Sequence, residues 1–133
     1  MEPIKVVIHY ANGTVMKGFT EDFSPNKDFF HLFPAAGPKG KAIEVLMKDL
    51  KAVFFVRDFT GDPQYNERKI FLEEEKGHGR KLEVKCIDDE LLVGSTLGYD
   101  PSRKGFSVFP ADPNSNNIRV FIVSSSVKEF RYV

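Results

Sequence analysis

KVVIHYANGTVMKGFTEDFSPNKDFFHLFPA, residues 5–35, laid without a gap over KLEVKCIDDELLVGSTLGYDPSRKGFSVFPA, residues 81–111, shows a chain that repeats itself at a spacing of 76. Lys5 falls on Lys81, Gly18 on Gly94, Thr20 on Thr96 and Pro25 on Pro101, and Phe30, Phe33, Pro34 and Ala35 fall on Phe106, Phe109, Pro110 and Ala111. Those 8 identities compare with roughly 2 for unrelated sequence over such a span, and they punctuate one pattern of strands and turns. With one extra residue in the second copy, Asp49–Val56 also aligns with Ser126–Val133.

Within each copy the apolar period is two, which marks strands with one buried face. Lys81–Cys86 alternates without exception, so Leu82, Val84 and Cys86 are expected inward, as are the equivalent Val6, Ile8 and Tyr10. Asn12-Gly13 predicts a two-residue type I′ hairpin, and Asp88-Asp89 is its counterpart. Strand 2 is expected over Val15–Phe23 and Leu91–Tyr99, each interrupted by a glycine that suggests a bend or bulge. Strand 3 follows at Phe29–Phe33 and Phe106–Phe109, strand 4 at Ile43–Met47 and Ile118–Val123, and strand 5 at Val53–Val56 and Phe130–Val133. No segment has the length and period of a helix.

The reading is therefore all-β: two tandem five-stranded antiparallel barrels, with residues 1–56 as the first repeat, 57–79 as an irregular connection and 80–133 as the second repeat. The run Val6-x-Ile8…Asn12-Gly13-x-Val15-x-x-Gly18 with its Phe23-Ser-Pro-Asn26 turn resembles the start of Sm-like and SH3-like small barrels. That likeness covers about 30 residues per copy and implies a shape, not an activity. The Sm helix has no room before Val6, and Lys48–Lys51 and Ser124–Ser126 replace the basic motif before strand 5, so RNA binding of the Sm kind is not implied. The whole chain also resembles a bacterial family of domains of unknown function, through Gly18-Phe-Thr20…Phe23-Ser-Pro-Asn26 and Val53-Phe-Phe-Val-Arg-Asp-Phe59…Pro63.

Composition narrows the function classes. At 41% hydrophobic and 29% charged, the 133 residues can form a packed core. Lys plus Arg and Asp plus Glu both number 19, so no global field draws the chain to nucleic acid or anionic lipid. Residues 4–56 have 7 basic against 5 acidic side chains and residues 80–133 have 8 against 7, far short of a basic footprint. Cys86 is the only cysteine, so no disulfide framework forms within the chain and a reducing compartment is expected. Met1–Lys5 does not open a signal peptide and no run of 18 apolar residues occurs, so a cytoplasmic protein without a membrane partner is expected.

Catalysis needs converging polar groups, one of which moves a proton or attacks. His9, His31 and His78 are scattered, metal-ligand spacings are missing and Ser124–Ser126 reads as a turn. The PilZ motif for cyclic dinucleotides also fails, because no arginine pair has its spacing. No enzyme, catalytic residue, cofactor or metal site is expected, and Cys86 reads as a small buried hydrophobe. The first functional reading is a non-enzymatic bacterial interaction or adaptor module that binds a protein through a strand edge or through loops. The alternative is a nucleic-acid or nucleotide binder. Candidate binding residues are Ser24, Asn26, Lys27, Lys39 and Lys41 in the first repeat and Asp100, Ser102, Arg103 and Lys104 in the second.

One pattern points beyond a plain core. Phe29-Phe30 and Phe54-Phe55 are adjacent, so in strands one ring of each pair must leave its own repeat's interior. Its cover is expected from the sister repeat, from residues 57–79 with Phe59, Tyr65, Phe71 and Leu72, or from a partner.

Overall fold

A computed structural model of the chain describes residues 3–35, 40–60, 79–100, 102–112 and 114–133. They form ten strands: β1 (Ile4–Tyr10), β2 (Val15–Thr20), β3 (Phe29–Pro34), β4 (Ile43–Leu46), β5 (Leu50–Val56), β6 (Arg80–Cys86), β7 (Leu91–Thr96), β8 (Gly105–Pro110), β9 (Asn117–Val123) and β10 (Val127–Tyr132). A 3-10 turn, Met47–Asp49 or Ser124–Ser126, precedes the last strand of each half. The chain is all-β as expected. Hydrogen bonding, however, runs through all ten strands as one antiparallel sheet in the order β10-β6-β7-β8-β9-β5-β1-β2-β3-β4, which is not closed into a barrel.

The repeat is written into the pairing. Ile4 faces Thr20 and Arg80 faces Thr96; Gly18 faces Pro34 and Gly94 faces Pro110; Phe30 faces Val45 and Phe106 faces Ile122. Even the irregularity recurs, between His9 and Tyr10 where β1 meets β5 and between Val127 and Glu129 where β10 meets β6. The halves join where the last strand of the first pairs with the fourth strand of the second, Val53 facing Phe121 and Phe54 facing Val120.

That junction decides the packing. Val53 and Phe55 from β5, with Phe121 and Val123 from β9, enter a core built on Val6, Ile8, Phe30 and Leu32. The alternate residues Ala52, Phe54 and Val56, with Val120 and Ile122, enter a second core built on Leu82, Val84 and Cys86. Because side chains alternate across a strand, the β5–β9 pair is buried on both faces and serves a core on each. The Phe54-Phe55 doublet is thereby explained: one ring goes to each core. Phe30 is likewise buried, but its neighbour Phe29 remains 42% exposed.

The hairpin turns differ from the type I′ expectation. Gly13 N–H donates to Tyr10 O and Tyr10 N–H to Thr14 O, with Gly13 at φ +95°; Asp89 N–H donates to Cys86 O and Cys86 N–H to Glu90 O, with Asp89 at φ +70°. Asn12 and Asp88 do not take positive φ. This is a three-residue loop with a single left-handed residue at its end. Asn12 and Asp88 instead use their side chains, each accepting the backbone N–H two residues on.

Strand 2 stops at Thr20 and Thr96, before the expected Phe23 and Tyr99, while strand 5 starts earlier, at Leu50 and Val127. Within the 57–79 connection, Phe59 packs edge-on against Phe19 at 5.3 Å; Tyr65, Phe71 and Leu72 lie outside the described residues.

Candidate functional site

The two Pro-bearing loops that the sequence singles out converge at the boundary of the halves. Lys27 N–H donates to Ser24 O and Arg103 N–H to Asp100 O, one turn in each copy. Asp100 also accepts from the Ser102 backbone and hydroxyl at 2.9 and 2.7 Å, and these bonds hold its carboxyl below the usual range. Each loop is tied to its own half's 3-10 turn in the same way: Met47 N–H donates to Asp28 O, and Ser124 N–H to Lys104 O. The Ser124 hydroxyl adds a bond to Arg103 O at 2.7 Å.

Between these corners lies an open cleft of about 690 Å³. Its lining comes in repeat counterparts, Asp28 with Lys104, Leu46 with Val123, Met47 with Ser124 and Lys48 with Ser125, joined by Arg103. The corner of one half thus faces its own counterpart. Asp28 and Lys104, at equivalent positions, form an ion pair across the boundary, and the hydrogen bond from the Lys104 ammonium holds the Asp28 carboxyl below its ordinary value. Among the described lining residues, Lys48, Arg103 and Lys104 outnumber the one carboxylate, beside the apolar Leu46, Met47 and Val123.

Of the sequence-selected residues, Arg103 and Lys104 line this cleft, and Asp100 and Arg103 line a neighbouring one of about 450 Å³ that also touches Pro25. Ser24, Asn26, Lys27 and Ser102 belong to the same loops without lining the larger cleft. Lys41 is exposed before the far end of β4, away from it, and Lys39 lies outside the described residues. Sequence reasoning did not select Lys48, Ser124 or Ser125 as site residues, because each reads alone as an ordinary turn residue. The signal that identifies them is the repeat, which places the 3-10 turns beside the loops.

Asp22 and His31 form a pair that the sequence scatters nine residues apart. Asp22 accepts from the His31 backbone N–H at 2.9 Å and contacts the ring Nδ1 at 2.7 Å. Burial works against the Asp22 carboxylate, but its hydrogen bonds with His31 outweigh that and lower its pKa. The pair fixes the loop onto β3. His9 stacks at 4.5 Å on Phe54, its pKa lowered by burial first and then by Lys51. Cys86 is fully buried, its thiol pushed up to about 11 by burial. Among the described residues, no group of three His, Cys, Asp or Glu side chains is arranged to hold a metal ion, and no helix is long and apolar enough to cross a membrane.

The second exposed feature is the pair of sheet edges. β4 and β10 end the strand order. Lys128 and Arg131 on β10 are engaged by Asp89 and Glu83, while Phe130 beside them is 40% exposed.

Among the described residues, a duplicated all-β sheet with a cleft lined by repeat counterparts defines the class: a tandem-repeat β protein. The chain belongs to a family described as a family of unknown function (DUF6982), whose model matches residues 2–133. Neither a curated protein nor a solved structure matches it.

Proposed function

We propose that the chain is a non-enzymatic bacterial adaptor of the cytoplasm that binds a protein by adding a strand to a free sheet edge. The observation carrying this reading is the pair of edges, β4 and β10, which among the described residues have no strand on their outer side, with Phe29 on the strand beside one and Phe130 on the other. Edge pairing supplies backbone hydrogen bonds, and exposed rings supply apolar area and register. Charged side chains commonly blunt such edges, but here Lys128 and Arg131 are held by partners on their own sheet. We also read each half as a small five-stranded barrel of the Sm-like or SH3-like kind, a frame that leaves its fourth and fifth strands available for such contacts.

The test is capture from a bacterial lysate with the wild type and with Glu44→Pro and Phe130→Pro chains, since proline removes a backbone donor. Both of these N–H groups point away from the neighbouring strand: Met47 donates inward to Asp28 O and Val133 inward to Lys81 O, and donors alternate along a strand. Proteins retained by the wild type and lost with either folded variant support the reading. Equal capture by all three overturns it.

A second reading, nucleotide or nucleic-acid binding, draws on Lys48, Arg103 and Lys104 around the cleft. Mobility of labelled RNA and DNA at low and moderate salt separates the two, because phosphate-driven binding weakens steeply with salt.

A further inference from the structure

The junction inside the chain specifies what its outer edges fit. Under the repeat, β10 is the counterpart of β5 and β4 is the counterpart of β9; β5 and β9 pair with each other, and β10 and β4 do not. We propose that β10 of one molecule pairs with β4 of a second copy of this chain, repeating the internal junction from molecule to molecule. This rests on the edge-binding reading above and names its partner. Shifting the internal register by the repeat places Phe130 opposite Glu44 of the second copy and Glu129 opposite its Val45, where the chain itself places Val53 opposite Phe121 and Ala52 opposite Ile122.

The side chains show what is missing at each end. In the first core, Phe23 packs edge-on against Phe30, Phe55 and the incoming Phe121 at 5.2 to 5.3 Å. In the second, the counterpart Tyr99 stacks on Phe106 and Phe130 at 4.6 and 4.2 Å, but no ring arrives from a following unit and Phe130 stays 40% exposed. At the other end of the sheet, the face equivalent to the one bearing Phe121 bears Glu44 instead, and the ring has moved next door to Phe29, which is 42% exposed. Gly105, the counterpart of Phe29, has no side chain; a Cβ there would meet the Phe121 ring at 2.6 Å. One aromatic ring is therefore present at this position in both copies, carried by strand 4 in one and strand 3 in the other. The exposed ring at Phe29 belongs to neither core of its own chain, and the cluster at Tyr99 receives no ring of the kind that Phe121 brings to Phe23.

Charge agrees with this arrangement. Asp28 pairs with Lys104, its own counterpart; repeating the step brings the Asp28 of a second copy to Lys104, so the ammonium lies between two carboxylates. Not every internal contact is reproduced. Lys51 reaches across the junction to Asp88 and Glu90, whereas its counterpart Lys128 would meet Asn12 and Thr14 of the second copy. The outer contact is thus weaker than the inner one and reversible, and being head-to-tail it adds copies until the arrangement closes or continues.

Sedimentation of the full chain over a wide concentration range, with Phe29→Lys and Phe130→Lys, tests the idea. The wild type is expected to rise above the 15.1 kDa chain mass as concentration increases, and each variant alone to remain a monomer. Mixed, they are expected to form a one-to-one dimer and stop there, because each retains one working end. Oxidation of a mixture of Phe130→Cys and Glu44→Cys chains is expected to give the mixed disulfide in preference to either homodimer. A wild type that stays monomeric at every concentration, or variants that associate as it does, overturns self-pairing. Loss of a lysate partner from the proline variants would then still uphold edge binding, so the two ideas fail separately.

Discussion

Lys51 shows how one side chain secures the boundary between halves. It is 6% exposed, reaches Asp88 at 2.7 Å and also bonds Glu90. Burial pulls its pKa down, but the two carboxylates outweigh that and leave it raised, while the bond from Lys51 lowers the pKa of Asp88. A raised lysine contributes stability that is full below its unfolded value and lost as pH rises through the folded one. A lowered aspartate contributes stability that is present above its unfolded value and lost as pH falls through the folded one. With unfolded values of about 10.4 and 3.9, the clamp holds from about pH 5 to 9 and fails on the acid side below about pH 4. Lys51→Met is accordingly expected to cost about 1–2 kcal/mol at neutral pH, with the gap to wild type closing below about pH 4. Urea titrations of both proteins at several pH values check this; a gap that persists in acid would show that the side chain acts through packing alone.

At the scale of elements, Gly18 and Gly94 mark where β2 and β7 are crossed closely by the following strand. A Cβ on Gly18 would lie 2.4 Å from the Phe33 carbonyl, and one on Gly94 would lie 2.1 Å from that of Phe109. These contacts involve backbone atoms, which yield less readily than the end of a side chain. Gly94→Ala is therefore expected to destabilise by about 1–3 kcal/mol or more, measured by denaturant midpoint, whereas an alanine at the open Gly98 would meet nothing within 4 Å. The glycines and the alternation in Lys81–Cys86 made the strands legible from sequence, since both are local. The register of the turns was less so: Asn12-Gly13 fits two hairpin loops, and only the hydrogen bonds of Tyr10 and Cys86 choose between them. The junction was half legible. Phe54-Phe55 announced that a ring must leave its own core, but nothing local to β5 names β9 as the strand that accepts it. The cleft was legible at Arg103 and Lys104 and hidden at Lys48, whose place depends on how the halves meet.

For the whole molecule, the shared strand pair serves both cores, so the halves are expected to unfold as one cooperative body. A chain ending at Val56 would lose Phe121 and Val123 from its core and uncover Ala52, Phe54 and Val56. Each buried Phe contributes about 1.5–3 kcal/mol against a total stability that is commonly about 5–15, and a unit of this length is already marginal. Residues 1–56 alone are expected to be unfolded or to aggregate, and the full chain to melt in a single transition. A well-dispersed NMR spectrum from 1–56, with a melting point near that of the whole protein, would contradict this. The same strand pair sets a clock for synthesis. β5 ends in Ala52-Val-Phe-Phe-Val56, an uncharged apolar run of the kind that readily pairs with other chains, and its partner strand emerges roughly 65 residues later, which at about 5–20 residues per second leaves it uncovered on the ribosome for roughly 3–13 seconds. Every newly made molecule passes through that interval with its stickiest strand unpaired, so the yield of native protein depends on how crowded the translating cell is and on which chaperones reach the strand first.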